Sequence, residues 1–315
     1  MMLRNAFRLL VTNFSLVWKN LIWIIISLIL GVGLGYLVCS PVFDALKEAK
    51  VFADFNEFIT NTTTISIQGT FVYLVDGVVL AVNVIFANFS RLVLPIILGT
   101  LLLIIILGIT NAIRNVATTE VLRGHMTSLT KFGFIGAVIR KMGVGALQGL
   151  LKFFLYLPFV AIYCCIAYVG YILIGMGGFA YQMAPFVLIL LFTLVSALQV
   201  TLFSCWAPVI VMHKINAVKS LSKGGKAVST RFWRTLSNSI VFVLLVIVVN
   251  YACAKFSFCV SLIITIPATI VLNSIYQMVI YFGTLGQRYY IDSQMIMTPK
   301  KCEMHDKPQK NKYLI

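Results

Sequence analysis

Long runs of apolar residues alternate with short basic segments along the chain. Six of the runs are long or apolar enough for membrane helices: about 21–39, 92–110, 153–174, 185–211, 240–254 and 260–283. Leu21 to Cys39 holds nineteen residues without a charge, which suffices for one crossing. No Ala-x-Ala site follows it, so it reads as a retained first helix. Before it, Phe7, Leu10, Val11, Phe14, Val17 and Trp18 recur at helical spacing beside Arg4, Arg8 and Lys19. That pattern predicts an amphipathic helix lying in the membrane interface. Gly124 is expected to stop a short helix after the second span, and Gly175 to Met183 reads as a short turn.

Residues 40–91 are read as an external excursion, in which 40–70 is the one sizeable polar stretch, carrying Asp44, Glu48, Asp54 and Glu57. Within it, Phe71 to Asn88 is apolar but interrupted by Asp76 and Asn83. Two readings stand: an external helix leading into the next span, which the charge topology favours, or a polar-faced membrane helix. Residues 1–298 are read as a six-span membrane domain and 299–315 as a basic, disordered cytoplasmic tail.

Composition agrees with lipid as part of the solvent. Of 315 residues, 60% are hydrophobic and 11% charged, and the mean hydropathy is +0.99. Soluble domains are about 25% charged. The net charge is +16, and its distribution decides what it means. Twenty-one of the 25 Lys and Arg fall in residues 1–20, 111–152, 212–238 and 284–315, which six crossings place on one side. Only Lys47, Lys50, Arg91 and Lys255 fall opposite. The positive-inside rule then sets both termini in the cytoplasm of a plasma membrane, as in bacteria. The basic residues read as topology determinants or headgroup contacts, foremost Lys214, Lys219, Lys223, Lys226, Arg231, Arg234, Arg140 and Lys141. The expected partner is a bilayer with anionic headgroups. Nucleic acid is not expected, because no aromatic-basic module accompanies the charge.

Three stretches share the order Asn-Ala-apolar-basic: Asn5-Ala6-Phe7-Arg8, Asn111-Ala112-Ile113-Arg114 and Asn216-Ala217-Val218-Lys219. Their spacings are 106 and 105 residues. Trp18-Lys19 and Trp233-Arg234 enter spans after the first and third, with Arg140-Lys141 in that place after the second. The fold expected is therefore an all-α polytopic bundle, with amphipathic cytoplasmic elbow helices in a threefold repeat about the membrane normal.

Val121-Leu-Arg-Gly-His-Met-Thr-Ser-Leu, Trp206-Ala-Pro, Ala217-Val-Lys-Ser-Leu and Arg231-Phe-Trp-Arg-Thr-Leu resemble the cytoplasmic linkers of a bacterial family. These are the multi-pass membrane domains found beside glycerophosphoryl diester phosphodiesterases, with their free-standing relatives. The resemblance covers residues 92–250 and implies architecture. The family's chemistry belongs to a separate soluble barrel, so no phosphodiesterase activity is implied here.

Catalytic signatures do not stand out. His125, His213 and His305 lack acidic or Cys neighbours at ligand spacing, and no HExxH, GxSxG or Walker loop occurs. The Gly-rich run from Gly31 lacks a phosphate-loop context, although Gly31 and Gly35 form a GxxxG that lets another helix approach. The seven Cys form no CxxC pair. Cys253 and Cys259 flank a short turn, and spacing alone does not establish a disulfide. No cofactor or metal site is expected. The predicted span cores lack Asp, Glu, Arg and His, so an ion-coupled pump is disfavoured. Asp76, Asn273 and Gln277 are the candidates for a polar path; Asn273 and Gln277 share a face at i, i+4. The plain reading of Gln199, Asn250, Asn273 and Gln277 is hydrogen bonding between helices. The reading reached is a non-catalytic scaffold or accessory component of envelope or lipid processes. The alternative is a permease or channel-like transporter of a small solute or lipid.

Overall fold

The structure is a computed structural model that describes residues 2–50, 79–130, 132–176, 178–256, 261–291 and 296–297. Asp76, Cys259 and the tail beyond 297 lie outside the described residues, and with them the 299–315 tail and the Cys253–Cys259 question. Among the described residues the chain is all-α apart from one two-residue strand pair. The helices are α1 (Met2–Thr12), α2 (Ser15–Glu48), α3 (Phe89–Ser128), α4 (Phe134–Met176), α5 (Gly178–Phe203), α6 (Trp206–His213), α7 (Ala217–Ser229), α8 (Phe232–Phe256) and α9 (Leu262–Leu285). Residues 79–87 are also helical and lead through a turn at Asn88 into α3. Six segments are long and apolar enough to cross a membrane: α2, α3, α4, α5 with α6, α8 and α9. Many of their apolar side chains face outward, among them Ile139, Tyr171, Phe186 and Val248. Such faces are stable against lipid and costly against water.

The chain divides into two compact units, residues 26–107 and the remainder. In the first, α2 and α3 pack through small residues. A Cβ at Gly31 would stand 3.4 Å from Leu107 and one at Gly35 3.6 Å from Leu103, both ordinary contact. The expected GxxxG approach is thus made onto leucine side chains. The Cys39 thiol meets the Pro95 carbonyl at 3.6 Å.

The second unit is built around α9. From Val271 to Phe282 every residue except Asn273 is buried. Tyr276 stacks on Phe242 of α8 at 4.4 Å between ring centres, and its hydroxyl lies 3.2 Å from Ser239. Asn250 of α8 donates to Thr269 of α9 at 3.1 Å. The N-terminal α1 packs along α9 through Asn5, Ala6 and Leu9. A second GxxxG, Gly145 and Gly149 of α4, brings α4 onto the backbone of α3 at Ile113 and Ile109.

Besides the break at 13–14, which divides the amphipathic helix expected before the first span, the structure departs from the expected elements at three places. First, α3 does not end at Gly124 but runs on to Ser128. Gly124 instead leaves room for Phe132, whose ring would lie 2.1 Å from a Cβ there. Thr130 returns to the Gly124 carbonyl at 3.1 Å. Second, the expected 185–211 span is divided at Ser204–Cys205. Pro208 has no N–H, so the Ser204 carbonyl loses its helical donor. The Ser204 hydroxyl turns to the Thr201 carbonyl at 2.8 Å. Third, α4 extends to Met176 and α5 starts at Gly178, so residues 175–176 and 178–183 of the expected turn are helical.

After α9 the chain turns at Gly286, whose φ of 69° suits glycine. It then folds back onto the unit rather than leaving it. Tyr289–Tyr290 pairs antiparallel with Ile296–Met297. The Tyr289 hydroxyl accepts from Asn5 Nδ2 at 2.9 Å, and Ile291 is fully buried. Burial pushes the Tyr289 phenol above its ordinary value, and the Asn5 bond offsets part of this. A raised phenol stabilises the fold below the ordinary tyrosine pKa of about 10, and that contribution is lost as pH rises through the folded value. Tyr289→Phe should therefore cost about 1–3 kcal/mol at neutral pH by leaving Asn5 without its acceptor. It should also flatten the alkaline loss of stability; thermal unfolding across pH 8–12 (roughly spanning the tyrosine range) reads both effects.

Candidate functional site

Two features of the second unit carry polar chemistry: a basic helix face and a buried polar strip. The basic face belongs to α7. Ala217, Ser220, Gly224 and Val228 are buried on one side, while Lys219, Lys223 and Lys226 are exposed on the other. The i, i+3, i+4 and i+7 spacing of a helix produces both faces from one short sequence. The helix is held by Trp206, whose indole N–H donates to the Ala217 carbonyl at 2.9 Å and to Ser220 Oγ at 3.0 Å. Gly224 lets α7 approach Cys205, where a Cβ would stand 3.3 Å from the carbonyl. Lys214 is exposed in a left-handed conformation that ends α6. Arg231 is half-buried and donates to the Gly283 carbonyl of α9 at 2.9 Å. It thus joins two helices, beyond the surface role expected of it. Arg234 and Arg140 are exposed and Lys141 half-buried. The Arg140 guanidinium lies over the Phe132 ring at 5.8 Å, with Arg123 over the same ring at 5.7 Å.

The buried strip runs along α3 from Ala112 to Leu122, between exposed Asn111 and half-buried Arg123, and this part of the site was missed by reasoning from sequence. Counting 111–152 as one cytoplasmic segment hid it. The signal was present: Ala112, Ile113, Val116, Ala117, Val121 and Leu122 recur at helical spacing, with no breaker between Thr110 and Gly124. These residues are buried and carry Arg114, Thr118, Thr119 and Glu120 inward with them. Charges absent from the expected span cores therefore enter the packed unit by continuation of α3. Glu120 pairs with Arg123 at 2.7 Å. Arg114 donates to Asn111 Oδ1. Asn115 Oδ1 accepts from Ser274 of α9 at 2.9 Å, and Thr118 reaches Asn20 of α2 at 3.4 Å. Towards the end of α3, His125 Nε2 meets the Ile291 carbonyl at 3.0 Å.

Asn273 and Gln277 flank Ser274 on α9. Their amide oxygens, like Gln148 Oε1 and Arg114 Nε, are buried and find no hydrogen-bond partner among the described residues. Beside them, Ser274 makes a bond between helices, donating to Asn115 Oδ1 of α3. Gln199 does bond between helices, accepting from Tyr163 at 3.0 Å. His213 lies 3.2 Å from the Tyr281 hydroxyl. A cleft of about 440 Å³, lined by Tyr163, Leu188, Phe192 and Ile247 among others, opens between α4, α5 and α8. It is apolar and suits an acyl chain more than a polar solute. Among the described residues no three His, Cys, Asp or Glu side chains gather as a metal site would require.

The architecture defines the class: an all-α integral membrane protein with six long apolar helices. No protein-family model, curated protein or solved structure matches the chain.

Proposed function

We propose that the protein is a non-catalytic membrane scaffold or accessory component of envelope or lipid processes. In this reading it sits in a plasma membrane with both termini cytoplasmic and its basic helix faces on anionic headgroups. The observation that carries the proposal is α7, with Lys219, Lys223 and Lys226 exposed opposite a docked apolar face. Each such cation near an anionic surface contributes about 1 kcal/mol, screened by salt. Trp18 and Trp233 support the same interface: they are 50% and 78% exposed and stand beside Lys19 and Arg234. Exposed indoles next to cations suit the headgroup layer.

The threefold repeat enters here as part of the proposal. α1 and α2 are separated at 13–14, α3 and α4 lie either side of Ser128 and Phe134, and α7 and α8 are separated at 230–231. Each of these junctions follows one of the Asn-Ala motifs. The resemblance to the membrane domains beside glycerophosphoryl diester phosphodiesterases is proposed on the same linker motifs.

Topology decides the proposal first. In a cysteine-depleted chain, Lys223→Cys should react with a membrane-impermeant maleimide only after sealed cells are opened. Labelling of intact cells would overturn the orientation. The second reading, a permease, is favoured by the unpartnered amide oxygens of Asn273 and Gln277. Proteoliposomes separate the two: a scaffold gives no solute flux above empty vesicles. Flux that disappears in Gln277→Leu would replace scaffold with transport.

A further inference from the structure

We propose that Arg114, with Asn111 and Asn115, forms a binding site for a phosphate-type oxyanion. The first argument is charge. Arg114 is 6% exposed, and burying a guanidinium without an anion is costly. Among the described residues of its unit the only carboxylate is Glu120, which is already paired with Arg123. Six residues along α3 set Glu120 about 9 Å further on and roughly 240° around the helix. It therefore does not serve Arg114. Among the described residues, the Arg114 guanidinium bonds to Asn111, while its Nε is buried and bonds to nothing.

The second argument is the kind of group left over. Asn111 Oδ1 is taken by Arg114, and Asn115 Oδ1 by Ser274. Holding both amide oxygens leaves both amide N–H₂ groups as donors. Residues 111, 114 and 115 share one face of α3, within an arc of about 100°. The three side chains thus offer donors and a positive charge, with the acceptors already used. Such a set suits an oxyanion and does not suit a cation or a neutral donor.

The third argument is access. Asn111 is exposed and Asn115 half-buried, so a ligand reaches the guanidinium from the Asn111 side. Arg114 follows the uncharged 92–110 stretch by one helical turn. In the orientation proposed above, that is the depth of lipid phosphates. The inference deepens that reading and rests on it for this depth alone; the donor set stands independently. A phospholipid headgroup and a soluble phosphate present the same oxygens, so the chemistry is shared and the source is settled by experiment.

The test uses full-length, delipidated protein in neutral detergent. One arm adds phosphatidylglycerol, with diacylglycerol as the phosphate-free control, and counts retained lipid by native mass spectrometry. The other titrates inorganic phosphate and follows thermal unfolding. Arg114→Gln should weaken binding by about tenfold or more, the loss expected for a charge-assisted contact. Arg114→Lys should restore part of it. Asn111→Asp is the decisive second variant, because it places a carboxylate beside the guanidinium from within. It should abolish binding and raise the unfolding temperature, and it remains informative if Arg114→Gln fails to fold. Retention of phosphatidylglycerol without a phosphate response assigns a lipid headgroup; a phosphate response alone assigns a soluble ligand. Absence of binding in both arms, or binding unchanged in Asn111→Asp, overturns the site. Binding that follows these variants, together with labelling of Lys223→Cys in intact cells, would keep the site and discard the orientation.

Discussion

Gly149→Leu should separate α4 from α3 and lower stability by about 3 kcal/mol or more, with Gly145→Leu close behind. A Cβ at Gly149 would stand 2.7 Å from Ile109 Cα, 3.1 Å from the Gly108 carbonyl oxygen and 3.2 Å from Ala112 Cβ. At Gly145 it would stand 2.8 Å from Ile113 Cα. The nearest obstacle in each case is backbone, which does not rotate aside as a flexible side chain does. Replacing glycine within a helix gains about 1 kcal/mol of propensity at most. Overpacking costs about 1–3 kcal/mol even for modest insertions, so the clash wins and grows with side-chain size. The matched control is Gly143, where a Cβ meets nothing within 4 Å. Gly143→Leu should leave stability unchanged or raise it by about 1 kcal/mol at most. Thermal unfolding of the three variants in one detergent checks the contrast. Equal behaviour of Gly149→Leu and Gly143→Leu would refute the close α3–α4 packing.

Trp206→Ala should cost about 3–5 kcal/mol and release α7. Trp206 is 1% exposed and packs with Val116, Ile210, Val211 and Ala217, with the Phe203 ring 5.8 Å away. Its indole N–H also holds the first turn of α7 through Ala217 and Ser220. Trp206→Phe keeps most of the volume and removes only that donor, so about 1–3 kcal/mol is expected. The two losses can be read apart by trypsin. With α7 undocked, Lys219, Lys223 and Lys226 become cleavable well below the temperature of global unfolding. Unchanged cleavage in Trp206→Ala would show that another contact holds α7. The result bears on function, because the same docking turns the three lysines outward.

Much of the architecture was legible in the residue order. An uncharged run of sufficient length is a one-dimensional property, and lipid rewards it wherever it occurs. The apolar stretches at 21–39, 92–110, 153–174 and 240–254 therefore lie within long helices, as does 262–283 of the last one, and the 185–211 stretch does so apart from its break. The buried face of α1 was not the one its apolar spacing named: Asn5, Ala6 and Leu9 pack inward, whereas Phe7 and Val11 are exposed, because periodicity does not say which neighbour covers which face. The break at Ser204–Cys205 is less visible: Pro208 stands in that stretch, but proline is common in membrane helices. Only the chain's geometry shows that the Ser204 carbonyl loses its donor.

The polar interior depended on tertiary structure. Asn5 meets Tyr289 across 284 positions of sequence, and Asn115 meets Ser274 across 159. No local pattern encodes such pairs, since each depends on how separate helices are packed. Arg114 shows the division well. As a letter in the chain it counted as one more positive charge fixing topology. In the folded unit it lies buried on a helix that does not stop, beside two asparagines whose oxygens are already engaged. Sequence alone determined that this protein is a set of long apolar helices joined by basic segments, because run length and charge act locally against lipid. Tertiary structure decided which polar groups were drawn inside and left without partners, because burial and pairing are properties of packed neighbours.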